Sequence, residues 1–286
     1  MATALLFSTG STVVKATAFS AWQVGSLRCG VAVLTLGLLM PSARRGWSGR
    51  TWLVGCAYAS TMVLYVLSNK LTTAANAIFL QATAPLYVLA LSRVLLGERI
   101  RGRDLAFMAA LAAGIGAVFL GVEEPSRSAA HPALGNLLGA VTGLAWGLTI
   151  LGLRWLESTP EADASEARRA VLAGNLIAFL ALLPLALPAA GTALDWAAVL
   201  YLGAVQIGLA YWLMTAALRR VPAFEASLLL LIEPVFSPLW AWLVHYEVPA
   251  GWSLLGCAVI LLATLARTVL PLRSAALRAT GAGGSR

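Results

Sequence analysis

Three ionisable side chains stand inside apolar runs: Lys15 in "STVVKATAF", Arg28 in "GSLRCGV" and Glu233 in "LLLIEPVF". An isolated charge in the middle of an apolar helix costs at least about 2.5 kcal/mol on insertion scales, so such a charge is a candidate for pairing or for holding a ligand. Lys15 and Glu233 either neutralise one another or open to hold the carboxylate and ammonium of a zwitterion. Arg28 is the weakest of the three, since a long side chain can snorkel or pair structurally. Gln81, Gln206 and Asn175 add neutral donors and acceptors, usable by a solute or by a neighbouring helix. Tyr58 and Tyr65 are seven residues apart and share one helix face, and Tyr211 precedes Trp212. Turned inward, these rings and Trp146 offer stacking and cation–π partners to an aromatic or flat cationic solute. Turned to lipid, they have no such role.

Other chemistries lack their residues. Lysine occurs only at positions 15 and 70, so the lysine-bearing phosphate loop of an ATP-driven pump is absent. His131 and His245 lie near predicted helix ends without an H-E-x-x-H motif. Cys29, Cys56 and Cys257 stand singly in separate apolar runs. The expectation is therefore no enzyme, no metal and no cofactor.

The elements that carry these residues follow from composition. The chain of 286 residues is 60% hydrophobic and 11% charged, with a mean hydropathy of +0.84. Soluble domains carry about 25% charged residues. Runs of about 20 apolar residues, each long enough to cross a bilayer as a helix, fall at 2–19, 22–40, 51–69, 74–96, 104–121, 133–155, 168–188, 195–217, 223–245 and 252–270. The short alternating segments of a β-barrel are absent. The fold expected is all-α, with ten transmembrane helices in a lipid bilayer. No basic stretch precedes the first run and no clear cleavage site follows it, so it reads as a retained helix.

Arg44, Arg45, Arg50, Arg99, Arg101, Arg103, Arg168, Arg169, Arg219 and Arg220 flank one alternating set of connections, and only Lys70 and Arg127 lie in the other set. The positive-inside rule then puts both termini in the cytoplasm, for a multi-pass protein of the cytoplasmic (inner) membrane. Net charge +8 reports this topology; no basic domain exists to hold nucleic acid. The connection "EEPSRSAAHP" divides the chain into residues 1–122 and 133–271, joined by an external loop at 123–132. Residues 272–286 read as a solvated basic tail.

The halves repeat. "APLYVLALSRVLLGE" sets Pro85 and Glu98 thirteen residues apart, "EPVFSPLWAWLVHYE" does the same with Pro234 and Glu247, and each pair of equivalents is 149 residues apart. Five helices per half is an odd number, so the two repeats enter the membrane in opposite senses. Inverted repeats with interrupted helices are an alternating-access signature. Pro85 and Pro234 are candidate hinges or plain kinks. Glu98 and Glu247 are expected to cap or pair at helix ends reached by water. The stripe Gly135, Gly139, Gly143 and Gly147 is expected to pack closely against another helix, with Trp146 beside it.

"AANAIFLQATAPLYVLALSRVLLGERI" and "AFEASLLLLIEPVFSPLWAWLVHYEVP" resemble the paired signature helices of the EamA-like branch of the drug/metabolite transporter superfamily, and "LAWGLTILGLRW" resembles its Trp-Gly pattern. The chain departs from that pattern at "YEV", where the first repeat has "GER", and at "STGST", where the second has Trp-Gly. Within the superfamily the resemblance is to YddG-type exporters. It implies a secondary transporter exporting aromatic or hydrophobic amino acids, with Lys15, Tyr65, Gln81, Trp146, Gln206, Tyr211 and Glu233 as candidate substrate-binding residues. The alternative is efflux of lipophilic or quaternary cations or another small metabolite.

The topology is checked by impermeant thiol labelling of single-cysteine variants. Ser126→Cys and Thr192→Cys are expected to react from outside intact cells, and Ser48→Cys and Ser165→Cys only after permeabilisation.

Overall fold

The computed structural model describes residues 2–96, 102–121, 129–158, 165–213 and 232–281. All regular structure among the described residues is helical: α1 (Ala2–Ser8), α2 (Gly10–Ala16), α3 (Ala21–Leu39), a short 3-10 turn (Pro41–Arg44), α4 (Gly49–Leu71), α5 (Ala74–Gln81), α6 (Ala84–Leu96), α7 (Gly102–Leu120), α8 (Pro132–Ser158), α9 (Glu166–Ala186), α10 (Ala193–Leu200) with its π-helical continuation (Tyr201–Leu209), α11 (Ile232–His245) and α12 (Gly251–Gly281). Among the described residues, six helical spans are long and apolar enough to cross a bilayer: Ala21–Leu39, Gly49–Leu71, Gly102–Leu120, Pro132–Leu153, Glu166–Ala186 and Ala193–Leu213. α12 runs on to Gly281, where the sequence suggested a tail without a fold. The run "RSAALRA" contains no residue that stops a helix, and Ala, Leu and Arg all favour one.

Helix starts are set by side chains that satisfy the free N–H groups of the first turn. Ser20 caps α3 in a reciprocal box with Gln23, Ser48 caps α4 with Thr51, and Thr192 caps α10 with Asp195. The break between α5 and α6 has a proline cause. A proline ring collides with the carbonyl four residues earlier, and four residues before Pro85 is Gln81, the last residue of α5. The helix therefore stops upstream of the proline and restarts at Ala84, with Leu86 N–H donating to the Thr83 carbonyl at 2.8 Å. The expected single kinked helix over 74–96 is two helices. In the equivalent element, Pro234 falls in the first turn of α11, and Pro238 lies inside it. The part of that run before Ile232 lies outside the described residues, as does Glu98.

The glycine stripe receives the broken helix. A Cβ at Gly143 would lie 2.7 Å from the Leu80 carbonyl oxygen, one at Gly147 3.3 Å from the Ala84 carbonyl oxygen, and one at Gly135 2.6 Å from the Thr72 backbone nitrogen. Bare glycine lets α8 lie directly on the backbone of α4, α5 and α6. These contacts join residues of the first half to residues of the second.

Packing follows a two-fold exchange of the halves. α3 packs on α9, and α7 on α12. α4 packs on α9, as α3 packs on the π-helical stretch. α5 and α6 pack on α8, as α11 packs on α1 and α2. Exchanging each helix with its counterpart in the other half carries these contacts onto one another, although the extensive α4–α8 packing and the α3–α4 contact have no comparable counterpart.

Overpacking of a tight interface costs about 1–3 kcal/mol. Gly143→Ala is expected to destabilise the protein by that amount and so to lower its melting temperature in detergent. Gly116→Ala, where a Cβ meets nothing within 4 Å, should be neutral or slightly stabilising. Thermal unfolding followed by intrinsic fluorescence compares the two.

Candidate functional site

The interior carries a polar and aromatic centre contributed by both halves. Ser11 Oγ and Tyr65 Oη are 3.0 Å apart, and the Arg28 guanidinium lies over the Tyr65 ring, 5.3 Å from its centroid. Arg28 is 1% exposed. Its Nη2 donates to the Met62 carbonyl at 2.9 Å, and its Nε finds no acceptor. Gly10, where the first transmembrane element breaks between α1 and α2, makes room here. A Cβ at that position would meet Gln206 Nε2 at 2.8 Å and Tyr65 Oη at 2.9 Å. Gln206 is buried in the π-helical stretch with its Oε1 unpartnered. π-helical turns recur at functional sites because they re-aim side chains at the expense of regular hydrogen bonding.

An aromatic group adjoins this centre. Phe7 and Tyr211 meet edge to face at 5.2 Å, Tyr211 and Tyr58 at 5.6 Å, and Asn175 Nδ2 donates to Tyr58 Oη at 3.2 Å. Glu233 is partly buried in the first turn of α11. Seven residues on, the same face of α11 carries Trp240, whose Nε1 donates to Ser8 Oγ at 3.0 Å. Glu233 therefore faces the first half from the second.

A second cluster plugs the end of the bundle away from the arginines. Lys15 Nζ lies 2.7 Å from Glu247 Oε1, with side chains only 5% and 3% exposed, and donates to the Thr72 carbonyl at 2.7 Å. The other oxygen of Glu247 accepts from the Ala74 backbone N–H at 2.9 Å, capping the start of α5. His245 Nε2 donates to the Thr12 carbonyl at 2.8 Å, Lys70 Nζ to the Thr17 carbonyl at 2.7 Å, and Thr17 Oγ1 to Asp195 Oδ1 at 2.8 Å. The turn that aims Glu247 is unusual. Tyr246 has φ of 55°, and Tyr246 and Glu247 N–H groups point back to the Trp242 and Ala241 carbonyls. This is a helix end that normally takes glycine. By the 149-residue offset, position 246 matches Gly97 of "GER". A tyrosine there costs about 1–2 kcal/mol, which the buried ion pair and cap help to offset.

At the opposite end, Ser48 donates to Glu166 at 2.8 Å, Arg50 lies over Trp155, and Arg169 lies against Gly46. The connections carrying Arg50 and Arg169 thus meet at one end of the bundle.

Several expectations change. Lys15 does not pair with Glu233; its partner is Glu247, because Lys15 lies at the end of α2, level with the far end of α11 rather than its start. Glu247 does cap and pair, but buried rather than in water. Tyr58, Tyr65 and Tyr211 all turn inward, while Trp212 is 39% exposed. Gln81 sits at the α5–α6 break with its Oε1 unpartnered, apart from the Tyr65 centre. Trp146 is partly buried on α8, and no ring contact joins it to the tyrosines. Arg28, ranked lowest of the three deep charges, lies at the Tyr65 centre, and Ser11 and Asp195 were missed as parts of these clusters. The only local signal was the "TALD" capping box at Asp195.

A bundle of apolar, bilayer-length helices with a polar centre inside it is the architecture of a multi-pass membrane protein. The model of the EamA-like transporter family matches residues 1–120 and again 133–268. The chain belongs to that family and is a membrane transporter of small substrates. A solved crystal structure with no functional name aligns over 95% of this chain and 96% of its own, with TM-score 0.62 and 20% identity, and shows the shared fold alone. No curated protein matches the chain.

Breaking a buried ion pair leaves one charge uncompensated, at about 3–5 kcal/mol. Lys15→Met and Glu247→Gln are each expected to destabilise by about that much. The Lys15→Met/Glu247→Gln double variant should lose less than the sum, as measured by a double-mutant cycle on unfolding.

Proposed function

We propose that the protein is a secondary transporter that exports aromatic or hydrophobic amino acids across the cytoplasmic membrane by alternating access. The observation that carries this reading is the juxtaposition of a buried guanidinium and buried rings in one interior site. Arg28 lies on Tyr65, Phe7, Tyr211 and Tyr58 meet edge to face beside them, and Glu233 stands on the face of α11 that Trp240 turns to the first half. An amino acid with an apolar side chain has the matching chemistry at both ends. Tyr65, Gln206, Tyr211 and Glu233 are the proposed substrate contacts. Ten spans in two inverted repeats, residues 1–122 and 133–271, with both termini cytoplasmic, complete the reading. The two-fold exchange of helix contacts supports it.

In this reading the Lys15–Glu247 plug closes the external side. It joins the halves through buried charges, so it must part whenever the site opens outward. The α5–α6 break at Pro85, and Pro234 in its counterpart, are the proposed hinges. Efflux of quaternary cations is the second reading, favoured by Glu233 and the tyrosines.

Counterflow into proteoliposomes preloaded in turn with phenylalanine, alanine, tetraphenylphosphonium and sugars tests the substrate. Phenylalanine is expected to drive exchange, and exchange by the cation alone would replace the first reading with the second. Oxidative cross-linking of Lys15→Cys/Glu247→Cys should stop exchange and reduction restore it. Full activity of the cross-linked protein would remove the plug from the cycle.

A further inference from the structure

Arg28 is a buried cation without a carboxylate. Its side chain is 1% exposed, it forms no ion pair among the described residues, and the one oxygen it reaches there is the Met62 carbonyl, to which Nη2 donates at 2.9 Å. Its other contacts are the Met62 sulfur at 3.8 Å and the Tyr65 ring, and Nε has no acceptor. A guanidinium presents five N–H donors in a planar fork that matches a carboxylate. One carbonyl and one ring face compensate that charge only in part, and a buried donor left unsatisfied is costly.

The side chains next to Arg28 are donors as well. The ring it covers belongs to Tyr65, whose Oη lies 3.0 Å from Ser11 Oγ. Gln206 stands beside the same hydroxyl, since one Cβ placed at Gly10 would touch both Tyr65 Oη at 2.9 Å and Gln206 Nε2 at 2.8 Å. Arg28, Tyr65, Ser11 and Gln206 thus follow one another through direct contacts. No carboxylate among the described residues accepts from any of them. Met62, which holds Nη2, packs in one cluster with Phe7, Tyr58 and Tyr211, so an apolar wall of rings begins where the donors end.

We infer that this centre is a carboxylate receptor: the Arg28 fork takes the carboxylate of the solute, with the Tyr65 hydroxyl and the Gln206 amide as neighbouring donors. This rests on the amino-acid reading above and replaces Lys15, which the plug already occupies, as the carboxylate partner. It also goes further, because nothing in the centre calls for an ammonium. Aromatic acids without an amino group fit it, whereas an amine or a quaternary cation meets an uncompensated positive charge. Arg28, Tyr65 and Ser11 come from the first half and Gln206 from the second, so the bound carboxylate bridges the two.

The test measures binding to the full-length purified protein, and counterflow in proteoliposomes, with three ligands of one skeleton: phenylalanine, 3-phenylpropanoate without the ammonium, and phenethylamine without the carboxylate. Wild type is expected to bind both carboxylates about ten- to a hundredfold more tightly than phenethylamine, the range for hydrogen bonds to charged groups. Arg28→Gln should remove that preference and Arg28→Lys should keep part of it. Gln206→Leu should weaken both carboxylates about two- to tenfold, the range for a neutral hydrogen bond, and spare phenethylamine. Phenethylamine bound by wild type as tightly as the carboxylates overturns the receptor. So does 3-phenylpropanoate bound as weakly as phenethylamine while phenylalanine binds tightly, and so does an equal loss for all three ligands in a variant whose melting temperature is unchanged. If Arg28→Gln does not fold, the wild-type order and Gln206→Leu decide. Phenylalanine exchange without carboxylate preference overturns the receptor alone. Binding of 3-phenylpropanoate that depends on Arg28, without exchange of any amino acid, upholds the receptor and sinks the amino-acid reading.

Discussion

Hydrocarbon offers no partner to a backbone N–H or C=O, so a membrane helix can be interrupted only where protein supplies the missing contacts. Much of this molecule follows from that constraint. The break at Ala82–Thr83 is tolerated because the stripe Gly135, Gly139, Gly143 and Gly147 brings α8 onto the exposed backbone of α5 and α6. The break at Thr9 is tolerated because the threonine hydroxyl donates to the Leu6 carbonyl and meets Tyr201 Oη at 2.9 Å. Each interruption is thus buried against the opposite half. The interface between halves carries irregular backbone, polar side chains and charge together.

The same economy explains where charge is kept. At one end of the bundle the buried Lys15–Glu247 pair also caps α5, so a single carboxylate satisfies an ammonium and a helix start. Satisfying both groups makes the burial tolerable, since a half-satisfied pair would be worse than an apolar contact. A strained turn at Tyr246 aims the carboxylate, and strain of that sort persists only where the surroundings over-determine it. In the middle of the bundle, the Arg28 guanidinium is held by the Met62 carbonyl and the Tyr65 ring, and its Nε has no acceptor among the described residues.

Much of the fold was legible in the sequence. Apolar runs of bilayer length, arginines confined to alternate connections and the 149-residue repeat of Pro85 and Glu98 each follow from the solvent and from chain duplication, and they are written one residue at a time. The family resemblance rested on contiguous motifs and held. The glycine stripe was readable as a packing face because four-residue spacing fixes a helix face without knowledge of the partner.

What tertiary structure alone decided is which residues meet across the halves. Lys15 is the penultimate residue of α2 and Glu247 lies just past the end of α11, and no spacing rule relates them. Glu233 was the nearer guess on charge and depth, yet it stands at the other end of α11. Arg28, the weakest of the three charges in sequence, became the best candidate because burial and the lack of an acidic neighbour are properties of its surroundings. Tyr211 inside and Trp212 outside differ by one residue, and only helix rotation sorts them. Local pattern determines period, length and solvent, which depend on neighbours along the chain. Pairing of buried charges depends on distances between helices far apart in sequence, and those exist only once the bundle has formed.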